Sequence, residues 1–422
     1  MGADPGGASH MSASPVRGTR NMPSGKAGRH GRFTGSCEAE IGERRVIAFV
    51  YLAGVSAAVA LGRFVPLEAG VRDAFGLSLT AFGWLVSGVT VVAACLAVPA
   101  GLWVARRNLG GVLSAGLGVM LVGGLLEVAA PVAFVLYGAR VLEGAGYLAV
   151  VVTGPLILSS RCGPATQRGA LALWSTFIPV GLALASAIGT LGGTVGWRAA
   201  GALTLVPVVA ALVGALEWLT GVRGRADEPY VGHGRGFGPV LQLSLSFALI
   251  ALLGVTAVAL LPNLATDRGV RSATGGVTAA VVSLAAVPGG LLAGLLLGRG
   301  IGPRALVMAV LAMPCAAAVM YQAMSWAVIA VGAAMMQFAG GLVLAVLYAS
   351  MPSVARSPHE LGRGYGLLNQ AGSVGTLLGP PALGFAVTHA GWTAATVLVT
   401  VVTLAGLALC LVATRRPGPS AP

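Results

Sequence analysis

The sequence predicts an all-α integral membrane protein of twelve transmembrane helices, built as two six-helix halves. Three observations carry that prediction. Of 422 residues, 56% are hydrophobic and 9% are charged, with a mean hydropathy of +0.87. Soluble domains carry about 25% charged residues, so the solvent for most of this chain is lipid. From Val46 onward the apolar residues fall into segments long enough to span a bilayer. One stretch also occurs twice: Arg168-Gly169 to Gly196-Trp197 returns 195 residues later as Arg363-Gly364 to Gly391-Trp392. At the same offset Gly189 returns as Gly384, and Ala199-Ala200 as Ala394-Ala395. A long repeat inside a strongly apolar chain means two homologous membrane halves, an architecture typical of secondary transporters.

Residues 1–44 are rich in Gly, Ser, Pro and Arg and predict a disordered cytoplasmic tail, with Met11 and Met22 as alternative starts to Met1. No cleaved signal peptide is expected, because the tail is long and polar and many apolar segments follow the first. Helices are expected at 46–66, 79–104, 110–130, 132–159, 169–190 and 198–219, forming an N-terminal bundle over 45–219. Six more follow at 239–262, 274–297, 305–322, 326–351, 365–387 and 392–413, forming a C-terminal bundle over 239–413. The longest internal connection, 220–238, holds Arg223, Arg225, Asp227, Glu228, Pro229 and Arg235 and is expected to link the halves on the cytoplasmic side. Residues 414–422 form a short cytoplasmic tail. The abundant glycines, 64 in all, let helix backbones approach closely in lipid.

The net charge of +13 reflects topology rather than nucleic-acid binding. With both termini cytoplasmic, fifteen arginines flank the inner helix ends and five flank the outer ones, namely Arg63, Arg72, Arg198, Arg268 and Arg271. That bias orients the chain as a multi-pass protein of the inner (cytoplasmic) membrane. The five Cys and five His are scattered and suggest no disulfide framework, metal site or cofactor. No Gly-rich phosphate loop is present, so ATP does not drive the protein. No clustered His, Asp or Cys points to catalysis at a membrane face, so an enzyme is not expected.

Charged and polar residues inside apolar segments are the candidate site. Arg140 lies nine residues past Pro131, about 14 Å along helix four and inside a core of ~30 Å. Glu143 and Tyr147 share its helix face. Two readings stand: an ion pair that satisfies itself between helices, or the wall of a central aqueous cavity. The second is preferred, because intramembrane charge is costly and usually functional. Glu143 is the best candidate for a titrating coupling group, with Arg140 as its partner or as the anchor of a small organic or inorganic anion. Trp174 in helix five, Gln337 in helix ten and Asn369 in helix eleven are further candidates. Arg63 is a candidate too, although near the outer end of helix one its side chain could instead reach water. Glu127 and Glu217 lie near helix ends and read as interfacial.

Two connections carry one more pattern. Gly101-Leu-Trp-Val-Ala105-Arg106-Arg107 follows helix two, and Gly294-Leu-Leu-Leu-Gly298-Arg299 follows helix eight. In each, Gly permits tight helix contact and Arg can bond the exposed carbonyls of a neighbouring helix end. Both resemble the loop-2/3 signature of the major facilitator superfamily, which recurs in loop 8/9. The family pattern has Asp before the Arg, where this chain has Ala105 and Gly298. Leu136-x-x-x-Arg140-x-x-Glu143-Gly144-x-Gly146 resembles the family's helix-four signature, with Glu where Gln is common.

The stretch Trp174-x-x-Phe177-x-Pro179-x-Gly181 with Gly196-Trp197-Arg198 is loosely similar to the branch containing cyanate and nitroimidazole transporters. The antiporter Gly-Pro pair is absent from helix five and occurs only in helix eleven, as Gly379-Pro380, which places multidrug/proton efflux second. A transporter-fold sensor that moves nothing is the alternative of another class. The resemblance implies a 6 + 6 fold with a pseudo-two-fold axis along the membrane normal. It also implies alternating access in a monomer, a small solute and protons as partners, and Gly101, Arg106, Gly294 and Arg299 as gate residues.

Overall fold

The computed structural model describes residues 30–189, 191–219 and 237–414. Nearly all of the expected 220–238 linker, the 415–422 part of the closing tail and residues 1–29 lie outside the described residues. By contacts the chain divides into Met1–Gly42 and Glu43–Pro422, and the packing below concerns the second unit.

Twelve helices run in the expected order. Helix one is His30–Gly62, so helical backbone begins inside the segment expected to be an unstructured tail. It is followed by a turn, Val65–Leu67, and a short helix, Glu68–Phe75. Helix two is Leu79–Val104, helix three Leu109–Ala129 and helix four Ala133–Arg161. Helix ten, Trp326–Val354, has the same 29-residue length as helix four, its counterpart in the first half. By length and apolar composition, eleven spans among the described residues could cross a membrane. The twelfth comes from Pro358–Ala413, which non-helical dihedrals at Ala390 and Gly391 divide into helices eleven and twelve.

Proline breaks the remaining helices where its chemistry requires. Helix five is Pro164–Trp174 and Phe177–Gly189, parted at Ser175-Thr176. Helix eight is Ser272–Ser283 and Ala286–Gly298, parted at Leu284-Ala285. In each case the first residue of the break lies four before a proline, Pro179 or Pro288. Proline removes the N–H that would bond that carbonyl, and its ring clashes with it. Helix six, Trp197–Leu203 and Val206–Trp218, parts at Thr204-Leu205 just before Pro207. Helix seven parts at Leu260 before Pro262, and helix nine tightens at Met308–Leu311 before Pro314. Helices two, four and ten run on through Pro99, Pro155 and Pro352.

The sequence repeat is a structural repeat. Gly196 joins helix five to helix six with φ of 82°, and Gly391 joins helix eleven to helix twelve with φ of 70°. Both are left-handed positions that an L side chain rarely adopts. The tryptophan after each docks on its own half. Trp197 meets Phe75 edge-on at 5.7 Å. Trp392 stacks on Tyr321 at 5.6 Å and donates its indole N–H to Asp267 Oδ2 at 2.9 Å.

Gly391→Ala and Gly196→Ala are each expected to destabilise the protein by roughly 1 kcal/mol or more, because a Cβ strains the left-handed backbone. Gly384→Ala is a matched control, since a Cβ there would meet no atom within 4 Å. Thermal unfolding in detergent should show lowered midpoints for the first two variants and an unchanged one for the control.

Candidate functional site

Four charged side chains meet inside the N-terminal half, each no more than 1% exposed: Arg63, Glu127, Arg140 and Glu143. Arg63 directly follows helix one, Glu127 is near the end of helix three, and the other two share a face of helix four. Arg63 Nη1 stands 2.5 Å from Glu127 Oε2, and its Nη2 stands 2.8 Å from Glu143 Oε1. Arg140 Nη1 stands 2.6 Å from Glu143 Oε2 and 3.7 Å from Glu127 Oε1. Two positive and two negative charges therefore neutralise one another in a site shielded from water. An unpaired member would carry a large desolvation cost.

The surrounding backbone completes the cluster. Arg140 donates to the carbonyls of Ala60 and Leu61 at 2.8 and 3.1 Å, and to those of Leu85 and Val86 at 3.2 and 3.3 Å. Ala60 and Leu61 are in the last turn of helix one, whose carbonyls have no partner within the helix. Arg63 Nε donates to Thr204 Oγ1 at 2.6 Å, and Thr204 sits where Pro207 breaks helix six. The Phe64 ring lies 5.0 Å from the Arg140 guanidinium carbon and adds a cation–π contact. Gly123 and Gly124 let helix three approach. A Cβ on Gly123 would come within 2.8 Å of the Glu143 backbone N, and one on Gly124 within 3.0 Å of Arg63 Nη1.

A second set of candidates lies between the halves, and it is uncharged. Tyr365 Oη bonds Ser159 Oγ of helix four at 2.9 Å, and Asn369 Nδ2 donates to the Val151 carbonyl at 3.3 Å. Gln370 Oε1 accepts from the Val98 N–H of helix two at 3.2 Å. Tyr348 of helix ten stacks on Tyr365 at 6.1 Å and donates to Asn369 Oδ1 at 3.4 Å. The Trp174 indole is fully buried and fills a slot over Gly54 and Gly154, where a Cβ would collide with the ring. Its Nε1–H faces the Tyr348 hydroxyl without forming a well-made hydrogen bond. Tyr51 bonds Thr176 across helices one and five at 2.8 Å, and Gln337 is half-buried beside Gly254 of helix seven. Among the described residues, no group of three or more His, Cys, Asp and Glu is placed to hold a metal ion.

The halves also touch where the arginine-rich helix ends lie. A Cβ on Gly101 would collide with the Gly362 carbonyl, and a Cβ on Gly362 would stand 2.6 Å from the Ala105 Cβ. Gly294 similarly faces Ala172, at 2.8 Å from a built Cβ. Arg106 Nη2 lies 3.3 Å from His359 Nε2 across the same boundary. Arg299 is exposed at the end of helix eight, and the carbonyl of Leu411 is bonded instead by Arg304, at 3.3 Å.

The structure thus divides the residues singled out in the sequence. Arg63, Arg140 and Glu143 meet one another; Tyr147, Trp174 and Asn369 belong with the uncharged set. Two expectations are corrected. Glu127 is no interfacial residue: helix three turns it inward, where it is the fourth member of the charge cluster. Arg63 does not reach water, because two carboxylates and Thr204 hold it inside at 1% exposure. The available signal was Gly123, one helical turn before Glu127 and therefore on the same face. Tyr348 carried no signal, since a tyrosine in an apolar helix reads as packing.

Removing one charge from the cluster strands its partners. Glu143→Gln or Arg140→Met alone should cost about 3 kcal/mol or more of stability. The double variant leaves Arg63 paired with Glu127 at 2.5 Å and should recover most of that loss. Thermal unfolding of both singles and the double checks this. A double variant less stable than either single would show that the charges do not act as one neutral set.

Among solved structures, the human organic anion transporter MFSD10 (TETRAN) superposes with a TM-score of 0.73 at 16% identity, covering 87% of this chain and 99% of that one. FucP in the outward conformation gives 0.66 at 12% identity, covering 88% of this chain and 99% of its own. A variant of the E. coli fucose:proton symporter FucP gives 0.68 at 12%, covering 88% and 98%. At these identities the likeness shows the fold. Among curated proteins none matches the sequence. The sequence profile of the Major Facilitator Superfamily matches residues 47–243 and 243–422, nearly the whole membrane domain in two consecutive pieces. With the repeat, the twelve helices and the paired halves, this places the chain in the Major Facilitator Superfamily, a family of membrane transporters.

Proposed function

We propose that this protein is a secondary active transporter that moves a small solute across the cytoplasmic membrane by alternating access, driven by a proton gradient. One observation carries the reading: at the arginine-rich end the halves meet through glycine and alanine contacts and a few hydrogen bonds between uncharged groups or one arginine and an imidazole. Side chains that small leave little to disentangle. Rocking one bundle against the other can open it at modest cost. Both termini and the 220–238 linker are cytoplasmic in this reading, on the arginine asymmetry, and the protein works as a monomer in the bilayer.

The charge cluster supplies the coupling. Glu143 is held by two arginines at 2.6 and 2.8 Å. Glu127 is held more loosely at one oxygen, because the nearest described cation to its Oε1 stands at 3.7 Å, against 2.8 Å for Glu143 Oε1. Glu127 is therefore the carboxylate that takes the proton, in place of the Glu143 expected from sequence. Protonation there weakens the hold of helix three on helices one and four. The anion-anchoring role expected of Arg140 finds no support in this geometry, since its guanidinium is occupied by Glu143 and four carbonyls.

Distances between spin labels test the reading without a known substrate. Labels on Arg107→Cys and Ile301→Cys, with the native cysteines replaced, report on the two halves at the arginine-rich end. Two distance populations are expected, with a ratio that changes several-fold between pH 5 and 8 and stays fixed in Glu127→Gln. A single population at every pH would sink alternating access, and a pH response that survives Glu127→Gln would sink the coupling role. Topology has its own check: a cysteine placed at Asp267 should label from outside intact cells, while one in the 220–238 linker should not.

A further inference from the structure

We infer that the transported solute is uncharged, carries a flat ring and offers hydrogen-bond acceptors. This rests on the reading of the chain as a transporter with its site between the two halves. In helices seven to twelve every charged side chain lies at or within about one and a half turns of a helix end, from Asp267 and Arg268 at one face to Arg304 and Arg363 at the other. Among the described residues, the only charges in the membrane interior of the first half are Arg63, Glu127, Arg140 and Glu143, which neutralise one another and bond to groups of that half. A charged solute at the midplane would meet no counter-ion from either half. Buried charge without a partner is strongly unfavourable, so the site selects against ions of both signs.

What the boundary does offer is aromatic faces and neutral polar groups. Trp174 and Tyr348 approach each other from opposite halves, with Tyr147 nearby. Tyr365 stacks on Tyr348, and Asn369 bonds both halves. The Trp174 Nε1–H is the donor on offer: fully buried, held over Gly54 and Gly154, and facing the Tyr348 hydroxyl without a well-formed hydrogen bond. A buried indole N–H ordinarily finds a partner. Its position at the meeting of the halves makes it available to a solute oxygen or nitrogen once the halves part. Flat rings in turn stack favourably on aromatic side chains.

Three probes that share one ring separate the possibilities at pH 7: benzamide is neutral, benzoate an anion and benzylammonium a cation. Each is titrated against the purified full-length protein by thermal unfolding. Saturable protection by benzamide is expected, of ~3 °C or more, because a ligand bound only by the folded state raises its apparent stability. Neither ion should protect. Trp174→Phe should abolish the shift, and Tyr348→Phe, which removes one hydroxyl and leaves the ring, should reduce it at least several-fold.

Protection by benzoate or benzylammonium equal to that by benzamide overturns the inference. So does protection by none of the three, or benzamide protection unchanged in both variants. Failure here is separable from failure of the transporter reading. Two distance populations between labels at positions 107 and 301, together with no benzamide effect, would overturn the solute class and leave alternating access standing.

Discussion

Charge cannot be left unpaired in lipid, and the N-terminal half is arranged around that constraint. Two arginines and two glutamates from three sequence-distant segments are each at most 1% exposed and within 2.5 to 3.7 Å of one another. Holding them there requires helix three to approach closely enough that Gly123 and Gly124 admit no side chain. It requires the last turn of helix one to turn its free carbonyls toward Arg140. It also requires helix six to break at Thr204. The C-terminal half has no such cluster among the described residues, although it repeats the same helices. The two halves share a fold and have divided their tasks, one carrying ionisable chemistry and the other offering uncharged surfaces.

Contact between the halves follows a different rule. Lipid tails are as apolar as leucine, so burial alone does not drive helices together in a membrane. Close backbone approach and interhelical hydrogen bonds take its place. Gly101 against Gly362 and Gly294 against Ala172 supply the first, and Tyr365 with Ser159, Asn369 with Val151 and Gln370 with Val98 supply the second. Ala105 lies against Gly362, where a Cβ would come within 2.6 Å of its own. Arg106 has an imidazole, His359, as its neighbour across the boundary between the halves.

The fold was almost entirely legible in the sequence. Hydropathy and segment length gave the helices, and the offset of 195 gave the two halves, because a repeated glycine at positive φ marks a turn that the structure needs twice. Proline chemistry, visible in the sequence, accounts for the breaks in helices five to nine. Helix four displayed Arg140 and Glu143 together, since residues three apart share a helix face. The cluster's other half was illegible for a definite reason. Arg63 and Glu127 lie at helix ends, where a sequence allows either exposure or burial, and only neighbouring helices decide.

The sequence alone therefore determined what depends on local pattern and on solvent: that the chain lives in lipid, how many times it crosses, and that it is written twice. These follow from the cost of exposing backbone and charge to hydrocarbon, which each segment meets by itself. Tertiary structure decided what depends on pairs from different helices. It made Glu127 a buried partner of Arg63, spent the donors of Arg140 on carbonyls of helices one and two, and left the Trp174 N–H facing the Tyr348 hydroxyl without a well-formed hydrogen bond. Such facts turn on distances of a few ångström between segments far apart in the chain, and no periodicity or composition encodes them.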